Sequence, residues 1–360
     1  MLRNLKQLDW ILIVSVIFLI LIGLSSIYSS SVGRHDFLNF KKQLIFVAVG
    51  ILLMFFFSFF DWRIFRENSY LVLILYLSSL LTLAGLFFFA PEIRGVKGWY
   101  KLGPLSFDPI EFTKIILIIL LAKYFSLRHI EMYRVRHILL SGLYVLLPAA
   151  LIFFQPNLGS VLILVLLWVG VLIISGIKLR HFLVLLLCGF LILILSWSFL
   201  MKDYQKVRIL NFFTPADPLG LSWSQNQAKI AIGSGGITGQ GFESGSQTQY
   251  GFLPEPQTDF IFAAIAEEGG LIGIFILMLF FTVLIWRIFK IALTSQSNFP
   301  RLFATGFGIM LICEVFIHIG MNLGLLPIIG IPLPLVSYGG SGLIATLVGL
   351  GILQNIKKNP

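Results

Sequence analysis

"WILIVSVIFLILIGLSSIYSSSVG", residues 10–33, is a run without a single charged side chain. About 20 apolar residues are enough for an α-helix to cross the hydrocarbon core of a bilayer. The run therefore predicts a transmembrane helix near the beginning of the chain. It is long enough to remain in the protein as an anchor, and no cleavable signal peptide is evident.

The composition of the whole chain supports a membrane protein. Of its 360 residues, 58% are hydrophobic and only 12% are charged, whereas a soluble domain has about 25% charged residues. The net charge of +10 does not indicate a nucleic-acid partner, because no basic stripe is interleaved with aromatic residues. Cys188 and Cys313 lie in apolar runs without metal-ligand spacing, so we predict core or lipid-facing thiols and no disulfide.

Apolar runs recur along the chain and predict an all-α polytopic membrane protein with about ten transmembrane helices. A single integral membrane domain would cover residues 1–360, with a large outer loop, residues 202–258, between helices 7 and 8. Shorter outer loops are predicted at 91–108 and 324–335. The ten runs are 11–31, 43–60, 70–90, 109–125, 138–154, 158–177, 182–201, 260–286, 302–323 and 336–356.

The distribution of basic residues predicts the orientation in the membrane. With the N-terminus in the cytoplasm, the cytoplasmic segments hold 15 Lys and Arg residues and the outer segments hold ten. Cytoplasmic loops of membrane proteins carry the excess of Lys and Arg. Both termini are therefore predicted to be cytoplasmic, and the long loops lie outside. Because long loops without regular structure are usually functional, we expect the functional site on the outer face.

The stretch "FDPIEFTK", residues 107–114, begins the fourth predicted helix. Asp108 can cap that helix, Pro109 suits its first position, and Glu111 stands where a capping box places a Glu. Lys114 follows Glu111 by three residues, so the two side chains can pair. One interpretation is a well-capped helix and nothing more. The other is a functional pair, because ionisable groups inside a membrane boundary are costly and usually functional.

The stretch "QNQAKIAIGSGG", residues 225–236, lies in the large outer loop. Gln225 and Lys229 share one helical face, which predicts a short helix on the membrane surface. The glycines that follow leave backbone N–H groups free to face an anion. A flexible loop with a solvated lysine is an equal alternative.

The stretch "PEPQTDFIFAAIAEEGG", residues 254–270, places a carboxylate at the mouth of the eighth predicted helix. Pro254 and Pro256 favour an extended approach, and Thr258 or Asp259 can begin the helix. Asp259 is then either a helix N-cap or a base that accepts a proton from a substrate hydroxyl. Further along, one of Glu267 and Glu268 could face a cavity while the other pairs with a neighbouring helix.

The stretch from Cys313 to Gly340 combines polar residues with prolines. Glu314, His318 and Asn322 recur every four residues and so share one face of the ninth predicted helix. A metal site is conceivable, but hydrogen bonds between helices are the preferred interpretation. Three prolines then break the helix before a Ser-Tyr-Gly-Gly turn, and such broken backbone must be buried by protein or line a cavity. The prolines are Pro327, Pro332 and Pro334.

Three of these stretches together resemble the SEDS family (shape, elongation, division and sporulation), and within it the rod-elongation branch more than the division branch. They are "KIAIGSGG", "FLPEPQTDFIFAAIAEEGGLIG" and "GMNLGLLPIIGIPLPLVSYGGSG". The resemblance implies a peptidoglycan glycosyltransferase that polymerises lipid II at the outer face of the bacterial cytoplasmic membrane. It also implies partners in the elongation complex, among them a class B penicillin-binding protein.

The resemblance further implies roles for particular residues. Asp259 would be the catalytic acid–base group, and Glu111 and Lys114 match a family motif near the substrate. Lys114, Lys229, Arg208 or a divalent cation (magnesium or manganese) are candidates to stabilise the leaving diphosphate. Ser337 is a further substrate-binding candidate, and no organic cofactor is expected.

Two positions depart from the family pattern, and two other functions stay open. The family usually has Gln where this chain has Asp108, and Asp where this chain has Asn157. A transporter that flips lipid II would also need polar groups inside a helical bundle, but the short cytoplasmic loops are chemically plain. A non-enzymatic scaffold for a penicillin-binding protein would explain Asp259 only as a cap.

Overall fold

The computed structural model describes residues 7–91, 98–103, 105–127, 135–201, 206, 210 and 221–359. The described chain is mostly helical, as the apolar runs predict. A π-helical turn, Ser196–Leu200, continues the eighth helix. The helices are α1 (Trp10–Arg34), α2 (Leu38–Phe59), α3 (Arg63–Glu67), α4 (Ser69–Phe89), α5 (Pro109–Ser126), α6 (Val135–Phe154), α7 (Leu158–Ile174), α8 (Leu179–Leu195), α9 (Leu221–Ser234), α10 (Ser246–Gln249), α11 (Ile261–Thr294), α12 (Asn298–Leu323) and α13 (Gly340–Lys358).

Within these described residues, seven helices are long and apolar enough to cross a membrane: α1, α2, α4, α6, α8 with its continuation, α11 and α12. Helix α7 is as apolar but shorter. Helices α5 and α13 coincide with two further predicted runs, and α5 carries three charged residues: Glu111, Lys114 and Lys123. A helical multi-pass membrane protein is therefore confirmed, and the count of ten spans remains a prediction.

The prediction of an all-α protein is wrong at the loop before α5. Strands β1 (Tyr100–Leu102) and β2 (Leu105–Phe107) form a two-stranded antiparallel sheet, with Tyr100 opposite Phe107. Gly103 adopts a φ of 65° in the turn, which glycine does without strain. The Tyr100 hydroxyl donates to the carbonyl oxygen of Thr82 in α4, at 2.6 Å. The hairpin therefore lies over the end of α4 and leads the chain into α5.

Helix α12 is the inner scaffold of the bundle. Of its apolar segment, 72% is buried within the protein, against 6% for α8. Helices α5, α7, α9, α11 and α13 all contact α12. A helix that is surrounded by others can place side chains against several of them at once, and the polar face of α12 does so at the functional site.

Helix α11 is longer than a bilayer requires and is broken. Its 34 residues would extend over about 51 Å. Gly270 has non-helical angles, φ 62° and ψ −159°, which only glycine adopts readily. The loop before α10 enters the break: Leu271 N donates to Gly236 O at 2.9 Å, and Gly241 N donates to Glu268 O at 3.1 Å. The backbone groups that the break frees are thus bonded to this loop. The predicted run over 260–286 implies a straight helix, and it gives no indication of this break.

The chain between α12 and α13 is irregular and buried. Gly324 ends α12 in the left-handed region, with φ 76°. The predicted helix over 336–356 begins later, at Gly340, because residues 324–339 turn back into the protein. Four of their apolar side chains are nearly inaccessible: Ile331, Leu333, Leu335 and Val336. As expected from the prolines, the irregular backbone is buried by protein.

The opposite end of the bundle, which is predicted to be cytoplasmic, is closed by a buried ion pair. Asp9 caps α1, and its carboxylate accepts hydrogen bonds from two nitrogen atoms of Arg287, the shortest at 2.5 Å. Gln354 of α13 accepts from the Asp9 backbone N–H at 2.8 Å. The start of α1 and the last turns of α13 are thereby joined to the C-terminal part of α11.

Candidate active site

Asp259 lies directly before the start of α11 but does not occupy its N-cap. The helix begins at Ile261, and the N-cap residue is Phe260, whose side chain makes no capping bond. The expectation that Thr258 or Asp259 begins the helix is therefore wrong by two or three residues. The Asp259 side chain is half-buried. The structure therefore excludes Asp259 as the N-cap of α11, and its role as a base remains a prediction.

The backbone of Asp259 is held by the polar face of α12. Asn322 Nδ2 donates to the Asp259 carbonyl oxygen at 3.0 Å, and its Oδ1 accepts from Ala263 N at 3.2 Å. His318, one turn earlier, lies 2.8 Å through Nδ1 from the carbonyl oxygen of Ile331. The preferred interpretation of this face, hydrogen bonds between elements, is confirmed.

Lys114 is buried between two carboxylates. Its Nζ lies 2.8 Å from Glu111 Oε2 on the same helix and 2.5 Å from Glu314 Oε1 on α12. The predicted Glu111–Lys114 pair is thus confirmed. For Glu314, the sequence predicts a hydrogen bond to another helix but does not identify Lys114 as the partner. Two carboxylates and one ammonium give this triad one excess negative charge when all are ionised. Carboxylates therefore balance the charge of Lys114 within the triad, and its role toward a diphosphate remains a prediction.

The start of α5 is joined to the start of α13. Asp108 caps α5 through Ile110 N, at 2.9 Å, as predicted. Its own N–H donates to Ser341 Oγ at 2.8 Å, so Ser341 takes the place that Glu111 would have in a full capping box. Burial raises the pKa of Asp108, and the charge of Glu111 raises it further.

Lys229 lies on α9, which confirms the predicted helix. Helix α9 is tied to the end of α12, because Gln225 Nε2 donates to the carbonyl oxygens of Met321 and Leu326, at 3.0 and 2.9 Å. The Lys229 side chain is exposed and passes over Gly324, where an added Cβ would lie 2.5 Å from Nζ. The lysine thus reaches the C-terminal end of α12, close in sequence to Asn322, which bonds the Asp259 backbone.

The other two predicted substrate-binding residues have different outcomes. Ser337 is buried; its Oγ donates to Thr258 O and accepts from Leu333 N, both at 2.9 Å. Its hydroxyl is therefore bonded to the chain just before Asp259. Arg208 lies outside the described residues.

The acidic pair in α11 has two separate roles. Glu267 is fully buried and accepts from the N–H groups of Gln247 and Thr248, at 2.6 and 3.1 Å. It thereby fixes the position of α10, a short helix within the large loop that precedes α11. Glu268 accepts from the Ser29 hydroxyl of α1 and lines a cavity of about 160 Å³.

The positions along α12 give the depth of the site. Glu314 and Asn322 are separated by eight residues on one face, which corresponds to about 12 Å along the helix axis. The buried triad therefore lies roughly that far below the held backbone of Asp259, and Lys229 stands at the level of Asp259. In the part of the chain that the structure describes, no group of three or more His, Cys, Asp or Glu could hold a metal ion. The divalent cation remains a prediction.

Comparison with known proteins identifies the family. The model of the FtsW, RodA and SpoVE cell cycle proteins matches residues 4–360. The chain belongs to this family. It is 35% identical to the peptidoglycan glycosyltransferase MrdB of Escherichia coli, over 95% of this chain and 91% of that protein. It is 34% identical to the stage V sporulation protein E of Bacillus subtilis, over 97% of both.

Solved structures agree with the fold. A chain from a peptidoglycan synthase complex, studied for the coordination of polymerization and crosslinking, is similar with a TM-score of 0.83 and 32% identity, over 98% of both chains. The rod shape determining protein RodA of Thermus thermophilus is similar with a TM-score of 0.73 and 30% identity, over 98% of this chain and 97% of that one. The resemblance to the SEDS family is thereby confirmed over nearly the whole length.

Family membership gives one of the departures a physical explanation. Asn157 is the N-cap of α7, and its side chain accepts from Ser160 N at 3.1 Å. Asn and Asp cap helices about equally well, so the exchange of the family's usual Asp preserves this contact. Sequence reasoning missed the contact between α2 and the segment before Asp259, where Asn39 Nδ2 donates to Gln257 Oε1 at 2.8 Å, because neither residue is charged.

Proposed function

We propose that this protein is a peptidoglycan glycosyltransferase of the cytoplasmic membrane, which polymerises lipid II into β-1,4 glycan strands during cell elongation. The similarity to MrdB over 95% of the chain supports the reaction class. The observation that carries the assignment of the site is the placement of Asp259. It is half-buried directly before α11, and its backbone is fixed to the inner scaffold helix.

In the proposed reaction, Asp259 removes the proton from the 4-hydroxyl of an N-acetylglucosamine acceptor. That oxygen attacks C1 of the N-acetylmuramic acid of the donor, and the C1–O bond to the diphosphate breaks. A single displacement converts the α-linked donor into a β-1,4 bond. A positioned base contributes typically about 10²–10⁴-fold to such a step.

The leaving diphosphate requires positive charge, and we assign this role first to Lys229. It is exposed at the level of Asp259, and no ion pair of Lys229 occurs among the described residues. Lys114 differs, because Glu111 and Glu314 both contact it. We therefore propose that the triad shapes the site below the reacting atoms, while Arg208 remains a second candidate for the diphosphate.

The membrane arrangement belongs to the same proposal. Ten spans with both termini in the cytoplasm would place α9, α10 and the mouth of α11 outside, where lipid-linked sugars are polymerised. A solved relative of this chain is part of a peptidoglycan synthase complex. We propose a class B penicillin-binding protein as partner, with other membrane proteins of the elongation complex.

The test is polymerisation of lipid II by purified protein, with Asp259→Asn compared with the parent. Asn keeps the shape of the side chain but cannot act as a base, so we expect a folded variant that makes no detectable glycan polymer. A matched control is Asp36→Asn, because Asp36 is an exposed acid that bonds Leu38 N at 2.9 Å. It should leave the rate unchanged. Polymer from the Asp259 variant at a rate within a fewfold of the parent would remove Asp259 from the mechanism.

A further inference from the structure

Three successive carbonyl groups in front of α11 are each held by one segment of the chain. Tyr338 N donates to Gln257 O at 2.8 Å, Ser337 Oγ to Thr258 O at 2.9 Å, and Asn322 Nδ2 to Asp259 O at 3.0 Å. Asn322 lies in the last turn of α12, and Ser337 and Tyr338 lie just before the start of α13. Asn322, Ser337 and Tyr338 are called the carbonyl clasp below.

Holding successive carbonyls fixes more than their oxygen atoms. Peptide units are planar, so their orientations determine the φ and ψ angles between them. Three held units therefore set the backbone angles of the residues they enclose, Thr258 and Asp259. The direction of the Asp259 Cα–Cβ bond follows from those angles. The clasp thus orients the Asp259 side chain, although none of these three hydrogen bonds is made to that side chain.

Asn322 also supplies what the start of α11 lacks. The N-cap residue Phe260 has no side-chain acceptor, yet the first N–H groups of a helix need one. Asn322 Oδ1 accepts from Ala263 N, the third helical residue, which is a usual target of an N-cap side chain. Its Nδ2 donates to His318 O at 2.8 Å, as well as to Asp259 O. Asn322 therefore caps α11 from another helix, and Asp259 is not needed as the cap.

A second set of bonds holds the clasped segment from the other side. Gln257 Nε2 donates to Ser31 Oγ of α1 at 3.1 Å, and its Oε1 accepts from Asn39 Nδ2 of α2 at 2.8 Å. Gln43 of α2 donates to the Ser337 carbonyl oxygen at 3.3 Å. The segment before Asp259 is thus fixed between α1, α2 and α12.

We propose that Asn322 and Ser337 are positioning residues for the glycosyl transfer: they hold the carbonyls of Thr258 and Asp259 and thereby aim the Asp259 carboxylate at the acceptor hydroxyl. The proposal rests on the proposed function. It differs from the sequence-based assignment of Ser337 as a substrate-binding residue. A residue that binds substrate changes KM when it is removed, whereas one that aims the base lowers kcat and leaves KM nearly unchanged.

The test uses Asn322→Ala and Ser337→Ala in the full-length protein, with lipid II as substrate. Asn355→Ala is the matched control, because Asn355 is an equally buried Asn that bonds Ser58 O and Trp62 N, at 2.9 and 3.2 Å, at the other end of the bundle. For each variant, the fraction of folded protein and the melting temperature are measured beside kcat and KM. We expect kcat per folded protein to fall at least tenfold for both clasp variants, with KM within about twofold. The control should lose melting temperature alone.

Each result bears on the proposal. Equal kcat in Asn322→Ala and Asn355→Ala would refute it and leave Asn322 as a structural residue. A raised KM with unchanged kcat in Ser337→Ala would return Ser337 to substrate binding. If Asn322→Ala does not fold, Asn322→Ser and Ser337→Ala carry the comparison, and unchanged kcat in both refutes the proposal. Failure of the parent protein to polymerise would instead refute the proposed function, so the two failures are distinguishable.

Discussion

Lys114 offers the sharpest test of the buried chemistry below Asp259. Lys114→Met keeps most of the side-chain volume but removes the cation between Glu111 and Glu314. Their oxygen atoms lie within about 5 Å of each other, since the contacts to the same nitrogen are 2.8 and 2.5 Å. Two unit charges at that distance repel by about 3 kcal/mol at an effective dielectric constant of 20. Breaking a buried ion pair typically costs about 3–5 kcal/mol, so we expect a loss of stability in that range.

Removing one carboxylate should cost much less. Glu111→Gln or Glu314→Gln leaves Lys114 with one partner, and the triad becomes a neutral pair. We expect a loss of about 1 kcal/mol, as for a single hydrogen bond. The double variant Lys114→Met/Glu314→Gln should recover part of the loss of Lys114→Met, because it removes the repulsion.

The assay is thermal unfolding of the four variants and the parent in one detergent, with lipid II polymerisation of the folded fraction measured in parallel. We expect Lys114→Met to have the lowest melting temperature of the five proteins. We also expect Glu111→Gln to lower activity by orders of magnitude despite its small effect on stability, because the triad shapes the site. Equal melting temperatures of Lys114→Met and the two Gln variants would refute the account of the triad. An active but less stable Glu111→Gln variant would restrict Glu111 to capping and pairing.

Two further predictions concern the membrane arrangement and the opposite end of the bundle. In a cysteine-free background, single cysteines at Ser244 and Gln296, both exposed, should react with an impermeant reagent from opposite sides of the membrane; labelling from one side only would end the ten-span model. Arg287→Leu leaves Asp9 buried without its main partner, so it should cost about 3–5 kcal/mol, measured by thermal unfolding. The exposed Lys290 lies one turn away on the same helix, and a Lys290→Met variant that lost as much would contradict the prediction.

Local features of the site could be predicted from the sequence because neighbouring residues determine them. Asp108 and Pro109 begin α5 as their types favour, and Glu111 meets Lys114 because three residues nearly complete a helical turn. The polar face of α12 follows from the same periodicity. Each of these features needs only the geometry of a single helix, which the sequence pattern specifies.

Features that depend on distant partners could not be predicted. Glu314 contacts Lys114 across 200 positions of the chain, and no periodicity relates the two. Gly270 breaks α11, although one glycine inside an apolar run is often tolerated in a straight helix. The hairpin before α5 is short, and its contact with α4 is likewise made between residues that are not neighbours in the sequence. Sequence reasoning singled out Lys114 and Glu314 but could not assign their contact with each other.

The irregular parts of the site share one physical cause. A backbone N–H or C=O that leaves a helix inside a membrane protein must find another partner, since lipid offers none. Residues 235–241 form hydrogen bonds with the backbone groups that the break at Gly270 frees. The clasp donates hydrogen bonds to the carbonyls before α11. The backbone position of Asp259 is therefore determined by residues of the clasp, which are remote from it in sequence. Substitutions there should alter catalysis without contacting substrate, and residues 324–339 are the first place to seek them.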